Sequence, residues 1–149
     1  MNIGQICSRT VVSVPVNASL ATVAELMRDR HVGAVVVTTS PLDRPVPVGI
    51  ITDRDIVRAQ LEATADLSRL SARDAMTRDP LVLAENDSIS TAIERLRERG
   101  VRRAPVVTKN GALFGMISTD DLIAQVSLDL IGIGGLLARQ PRIEKTREG

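Results

Sequence analysis

The chain has 149 residues, 44% hydrophobic and 25% charged, with nineteen basic against eighteen acidic side chains and a formal charge of +1. That length and composition suit a globular chain with a sizeable core, and the balanced charge provides no field to recruit DNA, RNA or an anionic membrane. Phe114 is the lone aromatic, so there is no stacking platform for single-stranded nucleic acid, and the lone Cys7 and lone His31 leave no disulfide, zinc site or His-based triad to assemble.

The N-terminus has no charged segment followed by an apolar one, and no unbroken apolar run approaches the ~20 residues of a membrane span. A cytoplasmic protein without membrane or nucleic-acid partners is expected. Val11 to Val14 reads as a short strand. In residues 17–30, NASLATVAELMRDR, Leu20, Val23, Ala24 and Met27 fall at i, i+3, i+4 and i+7, which predicts an amphipathic helix capped by Asn17 or Ser19. His31 stands where the helix end favours a left-handed residue. Ala34 to Val37 is a β-branched strand, Ser40 to Pro47 carries three prolines and reads as a turn, and GIITDRDI (49–56) passes from a strand into a helix starting near Asp53. Residues 62–71, EATADLSRLS, are a polar connector.

The series then repeats. Leu81 to Leu83 is the short strand, and residues 86–99, NDSISTAIERLRER, place Ile89, Ala92, Ile93 and Leu96 at the same helical spacing. Asp87 or Ser88 caps this helix, Gly100 ends it, Ala104 to Val107 forms a strand, and GMISTDDL (115–122) leads into a helix near Thr119. The offset is 69 residues at the first helix and 66 at the second motif, so the first copy holds three extra residues, which fall in the proline-rich turn. Beyond it, LDLIGIGGLLA (128–138) combines apolar residues with three glycines and is expected to pack back on the module or across a dimer, and the charged tail from Arg139 to Gly149 is expected to fray.

The predicted organisation is α/β (α+β): repeat 1 over 1–61, a connector over 62–71, repeat 2 over 72–127, and a C-terminal extension over 128–149. One sixty-residue βαββα copy buries too little apolar surface to be stable alone, whereas two can pack sheet to sheet about a pseudo-twofold axis and leave clefts between them.

Thr52 with Asp55 in GIITDRD and Ser118 with Asp121 in GMISTDD sit where a strand enters a helix. The free N–H groups and dipole of that junction suit phosphate or sugar, and a carboxylate can accept both hydroxyls of a vicinal diol. The same spacing also serves a capping box, although Glu or Gln is the usual third residue there. The adjacent pairs Asp53/Asp55 and Asp120/Asp121 fit caps and dipole partners better than an acid–base pair, so no catalytic or metal-ligating residue is expected.

These motifs, with the paired helices and the strands VGAVVV and VRRAPVV, resemble the cystathionine-β-synthase (CBS) domain family, whose tandem pairs are called Bateman modules. The resemblance covers residues 3 to 127 and rests chiefly on GIITDRDI and GMISTDDL, which look like the family's G-h-x-[ST]-x-x-D signature. It implies a non-catalytic regulatory module binding AMP, ADP or ATP, with NAD and S-adenosylmethionine as further candidates. No cofactor is required. By the same resemblance Asp55 and Asp121 hold ribose, Thr52 and Ser118 ribose or phosphate, and Val12, Leu81 and Pro105 flank adenine. Arg54, Arg102 and Arg103 lie beside the same strand ends, where a guanidinium fork matches phosphate oxygens. A homodimer and an unidentified protein target met in trans are implied too; a structural dimerisation module without ligand is the alternative. Arg54 is answered by Asp120 in the second copy, so the two clefts are expected to differ.

Overall fold

Alternating apolar runs and turn residues produce the same series of elements twice. The computed structural model describes residues 1–40, 43–64 and 66–147. The first copy runs β1 (Ser13–Pro15), α1 (Leu20–Arg30), β2 (Ala34–Thr39), β3 (Val46–Thr52) and α2 (Asp53–Glu62). A short α3 (Ala72–Ala75) and β4 (Thr77–Arg78) follow. The second copy is then β5 (Leu83–Ala84), α4 (Ile89–Arg99), β6 (Arg103–Val107), β7 (Leu113–Ser118) and α5 (Thr119–Arg147).

Local chemistry sets the boundaries of both first helices. Of the alternative caps, Ser19 and Ser88 are the ones used, each hydroxyl accepting from the N–H three residues on, Thr22 and Thr91. His31 and Gly100 end the helices in the left-handed region, at φ 53° and 65°. The short strands β1 and β5 lie one or two residues later than their apolar runs suggest, because pairing is set by parallel partners in β2 and β6.

The first sheet has the order β1-β2-β3-β4 and the second β5-β6-β7. Ala34 lies opposite Thr52 in one and Arg103 opposite Ser118 in the other, so each signature hydroxyl sits beside the start of the neighbouring strand. Val35 and Val37 of β2 join Leu20, Val23 and Ile51 in one core, and Ala104 and Val106 of β6 join Leu83, Leu96 and Ile117 in the other. Val36 and Pro105 point from the opposite faces of those strands and are also buried. Strands covered on both faces, helices on one side and the other sheet on the second, give the CBS-pair arrangement of two sheets about a pseudo-twofold axis.

The copies exchange their leading segments. Ile3 is fully buried in the core of the second copy, with Ile6 and Cys7 packed on it, while Ala72, Ala75 and Met76 pack into the core of the first. The hydrogen bonds match across the 69-residue offset: Ile3 and Gly4 N–H donate to Asp87 and Glu85 C=O at 2.9 Å, and Ala72 and Arg73 N–H to Ala18 and Val16 C=O at 2.7 and 3.1 Å. Ser8 bridges Met116 of β7 as Thr77 of β4 pairs with Ile50 of β3. Arg9 completes the attachment, its guanidinium 3.5 Å above the Phe114 ring while Nε donates to Phe114 C=O at 2.8 Å.

The C-terminal segment departs from expectation. α5 continues through Arg147 instead of ending in a frayed tail, and Leu128, Leu130, Ile131, Ile133, Leu136 and Leu137 are exposed, so residues 128–138 do not pack back on the module. Once the first turns have left β7, no other element among the described residues covers them. Side chains from Arg139 onward, and residues 148 and 149, lie outside the described residues. By length and composition Thr119–Ala138 is sufficient to cross a membrane, which a search for an unbroken apolar run misses because Asp120, Asp121, Gln125 and Asp129 interrupt it. Its beginning nevertheless belongs to the folded module, with Leu122 in the second core.

Candidate functional site

Both signatures form reciprocal hydrogen bonds at a helix start. Thr52 N–H and Oγ1–H donate to Asp55 Oδ2 at 2.8 and 3.0 Å, and Asp55 N–H donates back to Thr52 Oγ1 at 3.3 Å. In the second copy Ser118 N–H and Oγ–H donate to Asp121 Oδ2 at 2.9 and 3.0 Å, and Asp121 N–H to Ser118 Oγ at 3.2 Å. In each box one carboxylate oxygen is engaged. Asp55 Oδ1 has only a loose approach from Arg58, at 3.9 Å, and so retains accepting capacity.

A third box, unrecognised from sequence, shows that this geometry alone does not mark a ligand site. Ser71 N–H and Oγ–H donate to Asp74 Oδ2 at 2.8 and 3.0 Å on the solvent-facing side of the start of the short α3. Those hydrogen bonds hold the Asp74 carboxyl below its ordinary value. Location distinguishes the boxes.

The Thr52 box opens on a cleft of about 610 Å³ lined from both copies: by Gly33, Ile50, Thr52, Asp53 and Arg54 of the first, by Thr77, Pro80 and Leu81 of the segment between, and by Arg99 to Arg103 of the second. This volume lies within the range of small-ligand sites. Of the residues singled out from sequence, Thr52, Arg54, Leu81, Arg102 and Arg103 meet here. Asp55 stands behind Thr52 with its side chain 12% exposed. Val12 is half-buried against the first core and Pro105 is enclosed within β6, so neither lines this cleft. Ser118 and Asp121 lie at the equivalent junction of the second copy.

Arg99 was missed in sequence. It sits on the last turn of α4, where a basic residue is ordinary, and Nη2 donates to Asp79 C=O at 2.7 Å. Chain reversal at Gly100 then brings Arg102 and Arg103 to the same wall. Four arginines against Asp53 leave a formal surplus of three positive charges. Carrying these positions across the 66- and 69-residue offsets gives Asp120 for Arg54, Arg30 for Arg99, Gly33 for Arg102 and Ala34 for Arg103. The second junction thus has one arginine and one aspartate where the first has four arginines.

Among the described residues no group of three or more His, Cys, Asp or Glu side chains could hold a metal. Burial pushes the Cys7 thiol above its ordinary pKa, against a smaller opposing effect of Arg9, which disfavours the reactive thiolate.

The CBS domain profile matches residues 3–62 and 72–128. The chain belongs to the CBS-domain family. It is 27% identical over 123 residues to an uncharacterized protein of Methanopyrus kandleri, covering 83% of this chain and 61% of that protein. It is 32% identical over 128 residues to an uncharacterized 17.7 kDa protein of Acidianus ambivalens, covering 86% and 74%. The chain therefore spans about three fifths of the first relative's length. Among solved structures it is similar to a CBS domain protein of Pyrobaculum aerophilum complexed with AMP, with TM-score 0.69, 30% identity and coverage of 81% and 89%. A CBS domain pair in complex with 5′-methylthioadenosine and S-adenosyl-L-methionine superimposes with TM-score 0.71 at 17% identity, covering 87% and 98%, a likeness of fold.

Proposed function

We propose that this protein is a non-catalytic regulatory module that binds an adenine nucleotide in the cleft between its CBS repeats and acts on a protein partner in trans, in the cytoplasm. The observation that carries the reading is a 610 Å³ cleft in which a helix-start hydroxyl, Thr52, faces Arg54, Arg99, Arg102 and Arg103. Asp55 and Thr52 receive the ribose hydroxyls, Leu81 and Ile50 give adenine an aliphatic wall, and the guanidinium groups hold phosphate. AMP, ADP and ATP all fit that chemistry, and the net positive wall favours the longer phosphate chains. In the second cleft Ser118 and Asp121 take ribose and Val12 and Pro105 belong to the surroundings of the base. Asp120 repels phosphate there, which favours an adenosyl ligand of low negative charge, such as S-adenosylmethionine. The AMP complex of the Pyrobaculum protein supports this reading.

Calorimetric titration with AMP, ADP, ATP, NAD and S-adenosylmethionine tests it. Arg103→Ala should weaken ATP by roughly tenfold or more, the effect of one hydrogen bond to a charged group. Absence of binding by all five ligands at millimolar concentration, in protein stripped of co-purified ligand, leaves the alternative, a structural dimerisation module whose signatures only cap helices.

A further inference from the structure

We propose that Arg99 is a positioning residue of the arginine-rich cleft: it clamps the segment that carries the adenine wall, and so acts on the base and not on phosphate. This role presupposes the nucleotide reading and sets Arg99 apart from Arg54, Arg102 and Arg103. The chain crosses from the first sheet to the second between β4, which ends at Arg78, and β5, which begins at Leu83. Pro80 and Leu81 stand in that crossing and line the cleft, and Leu81 also belongs to the second core. Where the crossing runs therefore decides where the aliphatic wall stands.

The crossing begins at Asp79, whose backbone is left-handed at φ 51°. That region costs free energy even for aspartate, which bears it better than most residues, and a following proline steers the residue before it to extended backbone instead. A conformation disfavoured twice persists only where its surroundings hold it. Here the hold comes from the second copy, because Arg99 Nη2 donates to Asp79 C=O at 2.7 Å. Arg99 stands in the last turn of α4, a helix anchored in the second core through Ala92 and Leu96. The clamp thus ties a strained turn to a fixed element.

The other crossing is built differently. Across the 69-residue offset Asp79 corresponds to Thr10 and Arg99 to Arg30. Among the described residues the left-handed positions other than glycine are His31, Asp43 and Asp79, so Thr10 is free of that strain. Its C=O accepts from Ser8 Oγ at 3.4 Å, a contact within its own turn. The strained turn and the arginine that holds it therefore occur together, and beside the cleft that gathers the four arginines. With Nη2 of Arg99 on the wall carbonyl, phosphate falls to Arg54, Arg102 and Arg103.

Adenosine separates the two roles, because it has the base and the ribose but no charge for an arginine to attract. By calorimetry on the full chain, Arg99→Ala should weaken adenosine about fivefold, the effect of one hydrogen bond whose ends are open to solvent, while Arg103→Ala should weaken ATP and leave adenosine within about twofold. Asp79→Gly removes the Cβ penalty at φ 51°, so in that background Arg99→Ala should weaken adenosine by less than about twofold. Amide hydrogen exchange of the ligand-free protein gives a second measure: residues 77–83 should exchange faster in Arg99→Ala and at the parent rate in Arg103→Ala. Adenosine affinity unchanged in Arg99→Ala, an equal loss in Arg103→Ala, the full loss retained in the Asp79→Gly background, or unchanged exchange at 77–83 would each overturn the clamp. Faster exchange in Arg99→Ala, with neither adenosine nor ATP bound by the parent, would support the clamp and overturn the nucleotide reading.

Discussion

Asp55→Ala and Asp121→Ala form a matched pair that separates capping from ligand binding. The two boxes have hydrogen bonds equal within about 0.1 Å, so losing either carboxylate removes the same cap and leaves a partly buried N–H, of Thr52 or Ser118, without its acceptor. Such losses cost about 1–2 kcal/mol together, which lowers Tm by about 3–6 °C in a chain of this size. The ligand response should differ between them. At one hundred times its Kd, ATP adds about 2.7 kcal/mol to the parent. If Asp55 accepts from the ribose, its removal weakens ATP by roughly ten- to a hundredfold, and the same concentration then adds only about 0.4–1.4 kcal/mol. Asp121→Ala should start equally destabilised and keep the full ATP increment, because the four arginines lie in the other cleft. Differential scanning fluorimetry over an ATP series measures both quantities. Equal baseline losses with undiminished ATP increments in both variants would refute a ribose role and leave Asp55 as a cap.

Ile3→Ala should cost about 2–5 kcal/mol, since a fully buried residue leaves a cavity in a close-packed core, and hydrogen exchange should rise first in α4, β6 and β7 rather than in α1 and β2, which follow it in sequence. His31→Gly should stabilise by about 1 kcal/mol by relieving the left-handed conformation at φ 53°, seen as a higher urea midpoint. The Cys7 thiol, raised above its ordinary pKa chiefly by burial, should react slowly with a disulfide reagent at pH 8 and rapidly once urea is added. The sign follows: a thiol raised on folding contributes stability that is complete below its unfolded pKa and is lost as pH rises through the folded value.

The repeat, both first helices and the signature junctions were legible because each depends on local pattern: 3.6-residue periodicity, a hydroxyl cap, a left-handed terminus. The leading segments were harder to read. Asn2-x-x-Gln5 and Ser71-x-x-Asp74 begin equivalent turns at the 69-residue offset, but the two share little beyond capping chemistry, and nothing in a short polar turn says that it will pack on the other copy. Arg99 escaped for a related reason: its helical position is ordinary, and only the reversal at Gly100 turns it toward the cleft. The tail from Arg139 was read as frayed because it is charged and poor in apolar residues, whereas α5 runs on through Arg147.

The exchange of leading segments gives the duplication a mechanical meaning. Each sheet is finished by a strand or bridge from the segment that leads into the other copy, and Gly49 and Gly115 are the points where Met76 and Cys7 press against the receiving strands. Neither half is therefore a separable part. Thr77, Pro80 and Leu81, which stand in the wall of the arginine-rich cleft, follow directly on the turn seated in the first core. One short segment is thus both a plug in the core of the first copy and a wall of the cleft that the arginines of the second copy line.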